Sequence, residues 1–265
     1  MTSEDAVKSE ASRITAPVRV HCGFHKCLTM YARRTYKRAC RLDFRRPRGF
    51  KHFYHRAENF YNHCHEFRIT SVSGHCLDLD RFNDIKVVRF IRDPRDLLVS
   101  AYHYHRRGAE KWCHVVDPTE EDWSEVRGAI PMALPKGESM TSYLNKVSQE
   151  DGMRAEFEFR RYHFESMREW PEQHPDIRLF RYEDILGREA RVFEEIFDFL
   201  GVPKHAQIWG LNYASRHAAG RPQARRDHIR NPRSGQWRNA LPQDVIDNMA
   251  EVYGDVLERY GYPTR

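Results

Sequence analysis

The sequence predicts an α/β fold of three layers, a central parallel sheet with helices on both faces. Three observations predict it. Short apolar runs at 18–22, 68–73, 85–91 and 177–182 alternate with longer stretches of helical periodicity. Two of the runs break abruptly into helices, the first at Gly23 and the third at Asp93-Pro94. A proline suits the first turn of a helix, where its missing N–H costs no hydrogen bond. The last helical segment carries Val245, Met249, Val252, Val256 and Tyr260 at a spacing that buries one face.

In chain order, Val18 to Cys22 forms a strand, Gly23 permits a turn and helix-forming residues fill 29–41. A mixed aromatic and histidine-rich region (50–67) precedes the strands at 68–73 and 85–91, and a helix covers 95–107. Segment 108–137 holds Trp112, Trp123 and the acids Asp117, Glu120, Glu121, Asp122 and Glu125. It reads either as an acceptor lid or as a plain connecting loop. Helices follow across 138–170, then a strand at 177–182 and a helix at 190–200 whose Phe193, Ile196, Phe197 and Leu200 face a core. A basic loop (203–236) leads to the closing helix at 242–259, whose stripe is core packing rather than a cofactor box. Without a long linker or repeat, residues 17–265 read as one domain behind a flexible, polar tail, 1–16.

Hydrophobic residues make up 40% of the 265, enough for a core of this size, and the net charge is +6. The charge is uneven: residues 33–56 hold ten Lys/Arg against one acid, and residues 216–238 hold seven against one. Such runs suit a polyanionic ligand, a solvated face or nucleic acid. The tail has no apolar core of a signal peptide and no stretch is long enough to span a bilayer, so a cytoplasmic protein without a membrane partner is expected. Six scattered cysteines without a C-x-x-C pair fit a reducing compartment. The neighbouring His63-Cys64-His65 and His75-Cys76 lack the paired spacing of a zinc site, so no metal is expected.

Two strand ends carry chemistry. Arg92 follows the strand at 85–91 and Ser100 lies on the next helix, where ligands of open α/β sheets bind and where an arginine and a hydroxyl suit a phosphate. Near the N-terminus, Lys26 sits in a loop that runs into a helix, whose free N–H groups suit an anion. This is not G-x-x-x-x-G-K-[ST], and on spacing alone it reads equally as an anion site or an ordinary β–α turn.

Taken together, these segments resemble the sulfotransferase family, which uses 3′-phosphoadenosine 5′-phosphosulfate (PAPS) as donor. HKCLTMY stands where the family has P-K-[ST]-G-T-[TS]-W: Lys26 and Thr29 match, Tyr31 takes the place of the aromatic near the adenine, and Cys27, Leu28 and Met30 depart. His25 replaces the proline. RDPRDLLVS matches R-[ND]-P-[KR]-D-x-x-x-S at Arg92, Asp93, Pro94, Arg95, Asp96 and Ser100. LFRYEDI resembles the strand end whose tyrosine, here Tyr182, lies by the adenine. HIRNPRSGQWRNAL resembles R-K-G-x-x-G-D-W-[KR]-N, with Arg230, Gly235, Trp237, Arg238 and Asn239 in place.

The resemblance implies a P-loop-like fold and sulfuryl transfer from PAPS to a hydroxyl or amine of a small-molecule or carbohydrate-like acceptor, leaving 3′,5′-ADP. No metal is implied. The donor would be held by His25, Lys26, Cys27, Leu28, Thr29, Met30 and Tyr31 of the loop with Arg92, Ser100, Tyr182 and Arg230. Lys26 would steady the leaving phosphate, and His75, seventeen residues before Arg92, would be the base, with Glu58 and Glu66 as alternatives. The competing readings are a catalytically silent nucleotide binder, a basic nucleic-acid-binding protein, and a kinase, which would need a Mg²⁺-binding hydroxyl after Lys26 that Cys27 and Leu28 do not offer.

Overall fold

A computed structural model describes residues 13–53, 57–73, 76–219, 221 and 231–264. Five strands, β1 (Val18–Gly23), β2 (Phe50–Phe53), β3 (Ile69–Ser73), β4 (Ile85–Ile91) and β5 (Ile177–Arg181), form one sheet in the order β2-β3-β1-β4-β5. Every neighbouring pair is parallel. The helices α1 (Thr29–Ala39), α2 (Ala57–His63), α3 (Pro94–Arg106), α4 (Glu120–Ser124), α5 (Met140–Lys146) and α6 (Gln149–Phe159) belong to the first two thirds of the chain. They are followed by α7 (Arg161–Glu169), α8 (Tyr182–Ile185), α9 (Glu189–Phe199), α10 (Lys204–Arg216), α11 (Trp237–Ala240) and α12 (Gln243–Arg259).

Alternation along the strands sends side chains to both faces, and helices cover each. On one face the His21 ring meets Tyr36 of α1 and Phe90 of β4, with centroids 5.4 and 4.5 Å apart, and Phe90 meets Phe193 of α9. On the other, the buried Arg89 donates to Glu172 and to the Tyr260 hydroxyl after α12, and lies over the Trp170 ring. The sheet grows from β1 in two directions, toward β3 and β2 and then toward β4 and β5. That reversal leaves a crevice at the carboxyl ends of β1 and β4, adjacent strands with Gly23 opposite Phe90.

Two elements differ from the sequence reading. Phe50–Phe53 is an edge strand inside the region read as mixed, and the segment read as a basic loop contains the thirteen-residue α10. α10 lies against α1 and α9 so closely that a Cβ on Gly210 would stand 2.6 Å from the Phe197 ring and 3.1 Å from the Ala39 Cβ. Segment 108–137 packs inward: Trp112 stacks on Phe159 of α6, with centroids 4.7 Å apart and planes 3° from parallel, and Trp123 is fully buried against the same ring. Ahead of β1, Ile14 pairs with Phe82. Among the described residues, no helix is long and apolar enough to cross a membrane.

Candidate active site

The loop after β1 is built by its own backbone. The Cys27 N–H donates to the Phe24 carbonyl at 3.1 Å, and the Thr29 hydroxyl donates to the same carbonyl at 3.2 Å. Lys26 and Leu28 both adopt left-handed backbone, with φ of 69° and 57°. The glycine expected of the motif at position 28 would enter that region without steric cost, and leucine enters it all the same. Leu28 caps α1 without a side-chain hydrogen bond, which leaves first-turn N–H groups of α1 open to an anion.

A cavity of about 350 Å³ opens beside this loop, lined by the loop, by α3 and by the ends of α9 and α10. Lys26 reaches it with its ammonium 3.9 Å from the centre of the Tyr104 ring. Burial, then the charges of Arg160, Arg92 and Arg107, push the Lys26 amine down to about 8. A half-buried ammonium held among arginines is poised for a negative ligand.

Arg92, just past β4, is 3% exposed. Its guanidinium lies over the Tyr182 ring, 4.2 Å from the centroid, and its Nε and Nη2 have no hydrogen-bond partner among the described residues. Buried N–H groups of an arginine are rarely left unpaired, because the penalty is a few kcal/mol each. Tyr182 lines the cavity and donates its hydroxyl to the Pro232 carbonyl; Ser100, two turns into α3, also lines it. The turn is rigid: Asp93 caps α3 and pairs with Arg95, while Glu183 accepts from the Asp93 N–H and the Tyr262 hydroxyl. Asp96 ties this turn to the last motif. Its carboxylate accepts from the N–H groups of Gly235 and Trp237 and from the Ser234 hydroxyl, and Arg95 lies over the Trp237 ring.

Behind the lysine sits a buried ionic network. Arg160 donates to Glu156 through Nε, to His163 through Nη1, and through Nη2 to His25 Nδ1 (2.9 Å) and His105 Nε2 (3.2 Å). His105 in turn donates from Nδ1 to Glu156 at 2.8 Å, and His25 turns Nε2 toward Glu110 at 3.4 Å. Glu110 also accepts from the Trp112 indole. Burial pushes the His25 imidazole down to about 3, so it stays neutral, with Nδ1 accepting. His25, His105 and Glu110 are close enough together to suggest a metal site, but the Arg160 guanidinium already uses the imidazole lone pairs that would face an ion.

The sequence-derived residues separate accordingly. His25, Lys26, Leu28, Thr29, Met30, Tyr31, Ser100 and Tyr182 line the cavity, and Arg92 lies under Tyr182. Cys27 turns wholly into the core and exposes no side chain to the cavity. His75 and Arg230 lie outside the described residues. The alternative bases are not at the cavity: Glu58 is exposed beside Arg81, and Glu66 pairs with His63 at 2.8 Å. Sequence reasoning missed His103, Tyr104 and Arg107, which line the cavity three, four and seven residues beyond Ser100. Helical spacing from Ser100 would have found them. It also missed Arg34, Glu189, Tyr213, His217 and Asn231, which helix packing or loop placement brings in.

Comparison with known proteins assigns the chain to a family. A family model described as "Sulfotransferase domain" matches residues 75–261. No curated protein matches the chain. Among solved structures, retinol dehydratase in complex with androsterone and inactive cofactor PAP is 15% identical, over 91% of this chain and 81% of that one, with a TM-score of 0.52. Mouse sulfotransferase SULT7A1 complexed with PAP is 14% identical over 91% and 84%, with a TM-score of 0.47. Retinol dehydratase shares the fold. The family model spans well over half of the chain, and on that ground this protein belongs to the sulfotransferase family, the enzymes that draw their sulfuryl group from PAPS.

Proposed function

We propose that the cavity binds PAPS and that the protein transfers its sulfuryl group to a hydroxyl or amine of a small-molecule or carbohydrate-like acceptor. The observation that carries this reading is Arg92, buried at the carboxyl end of β4 with Nε and Nη2 unpartnered among the described residues. Two open N–H groups on a planar guanidinium suit the two oxygens of one phosphate edge. Lys26 and the first turn of α1 supply a second anionic subsite on the adjacent strand β1. Two subsites on neighbouring strands suit a nucleotide phosphorylated at both the 3′ and 5′ positions.

In the transfer, a bond forms between the acceptor oxygen or nitrogen and sulfur, the bridging S–O bond of the donor breaks, and its electron pair leaves on the 5′-phosphate. The chain's part is positioning and charge. Arg92 and Ser100 hold the 3′-phosphate, and Tyr182 stacks over Arg92 to keep it aligned. Lys26 moves its ammonium from Tyr104 to the 5′-phosphate as charge builds there. The acceptor proton goes to His75, two residues after Ser73, whose strand pairs with β1 at Gly23. His25 cannot take it, because Arg160 already uses its accepting nitrogen.

The test is turnover: the protein, PAPS and a panel of alcohols, phenols, amines and sugars, with release of 3′,5′-ADP followed by chromatography. Acceptor-dependent release, lost in His75→Ala with nucleotide binding intact, is expected. A protein that binds 3′,5′-ADP yet releases none with any acceptor is a nucleotide binder and not an enzyme.

A further inference from the structure

The cavity has two chemically different ends. One is cationic, with Lys26 and, under Tyr182, Arg92. The other is aromatic: Tyr31 and Tyr213 stand with ring centroids 6.2 Å apart, and His217 stacks on Tyr213 at 4.0 Å with planes 14° from parallel. All three rings line the cavity, and together they offer a stacking wall for a flat heterocycle.

A carboxylate belongs to that aromatic end. Glu189 lines the cavity although only 3% of the residue is exposed, and its Oε1 accepts from the Ala219 N–H at 3.0 Å. Among the described residues it forms no ion pair; the Ala219 amide is the hydrogen-bond partner found there. Glu189 is the first residue of α9. Its proximity to the stacking wall is felt at Tyr31, whose phenol is pushed up by burial and next by Glu189. An ionised carboxylate has only acceptors to offer. A ligand on the wall that reaches the carboxylate therefore meets it with a donor.

We propose that Glu189 is a specificity-determining residue that reads the base of the nucleotide, selecting a purine with a 6-amino group over one with a 6-keto group. The proposal rests on the donor reading above. An exocyclic amine donates to the carboxylate, whereas a keto oxygen at the same position meets it lone pair to lone pair. Sites that hydrogen-bond a substrate N–H reject analogues lacking it far more strongly than apolar pockets reject a misfit. No motif of the resemblance includes position 189; the residue comes into view only because α9 and the segment after α10 bring it beside Tyr31.

The experiment is calorimetric titration of the full chain with 3′,5′-ADP and with its inosine counterpart, 3′,5′-IDP, in the wild type and in Glu189→Gln. The wild type is expected to prefer 3′,5′-ADP by at least about tenfold. Glutamine can turn its amide N–H toward a keto oxygen, so the variant is expected to bind 3′,5′-IDP more tightly than the wild type does. Such a gain cannot come from misfolding. Equal affinities in the wild type, or a preference unchanged in the variant, overturn the proposal. So does a variant that melts normally but loses both nucleotides, which would make Glu189 a tie to Ala219 only. If the wild type binds neither nucleotide, the donor reading falls, and the base-reading role with it.

Discussion

Lys26→Met is expected to make the protein more stable and less able to bind its donor. The Lys26 amine is pushed from its ordinary 10.5 to about 8. A difference of that size corresponds to about 3 kcal/mol disfavouring the ammonium at neutral pH. The Tyr104 ring under the ammonium, 3.9 Å away, returns about 0.5–2 kcal/mol. Partial solvent access to the half-buried lysine reduces the remainder, leaving about 1–2 kcal/mol for methionine to recover. For a chain of this size that is a rise in Tm of about 2–8 °C. The sign follows from proton binding. Between about pH 8 and 10.5 the unfolded chain holds this proton and the native state does not, so native stability rises with pH through that window. The gain from methionine is therefore full below pH 8 and vanishes as pH approaches 10.5. An anion beside Lys26 favours the charged form, so wild-type affinity for 3′,5′-ADP is expected to fall by up to about tenfold per unit above pH 8. Differential scanning calorimetry at pH 7 and 10, with nucleotide titrations across the same range, checks both. A variant that melts lower at pH 7, or keeps wild-type nucleotide affinity, shows that Lys26 is not a charge held ready for an anion.

Three further substitutions probe the frame around the site. Arg160→Met leaves Glu156 buried without its cation and is expected to cost about 3–5 kcal/mol in chemical denaturation; a loss under about 1 kcal/mol contradicts the network. Asp96→Asn replaces a carboxylate that accepts from Ser234, Gly235 and Trp237 with a group that is partly a donor, and about 1–3 kcal/mol is expected to be lost. Nucleotide affinity should fall with it, since Asn231 of the tethered segment lines the cavity; unchanged melting and affinity would show that the tether is dispensable. Gly210→Ala drives a methyl into the Phe197 ring, and about 1–3 kcal/mol of destabilisation in the same assay is expected; a neutral result would mean that α10 shifts away freely.

The parts of the fold and site that were legible in the sequence are those written in one local stretch. Arg92, Asp93, Pro94 and Ser100 fall within nine residues, and a strand, a proline turn and a helix can be read there from spacing alone. Lys26, Thr29 and Tyr31 likewise follow from a strand, a turn and one helical turn. What stayed hidden depends on distant packing. β2 is four residues long, with Lys51 and His52 between its two phenylalanines, so no apolar run announces it. α10 carries Gly210 where close contact with α1 and α9 demands it, and a glycine inside a segment weakens a helical reading when the segment is read alone. Glu189 and His217 are 28 positions apart and line one cavity because α9 and α10 pack together. The Arg160 network was invisible for the same reason: His25, His105, Glu156 and Arg160 come from a loop, from α3, from α6 and from its C-cap.

Calorimetric comparison of 3′,5′-ADP with 5′-AMP tests the donor site most directly, because the two ligands differ by the phosphate assigned to Arg92 and Ser100. Two charge-assisted hydrogen bonds from Arg92, at about 1.5–3 kcal/mol each, place the difference at roughly a hundredfold or more. That gap should collapse in Arg92→Ala. Equal affinities for the two nucleotides, or a gap that survives the loss of Arg92, would contradict the assignment of its buried guanidinium to the 3′-phosphate.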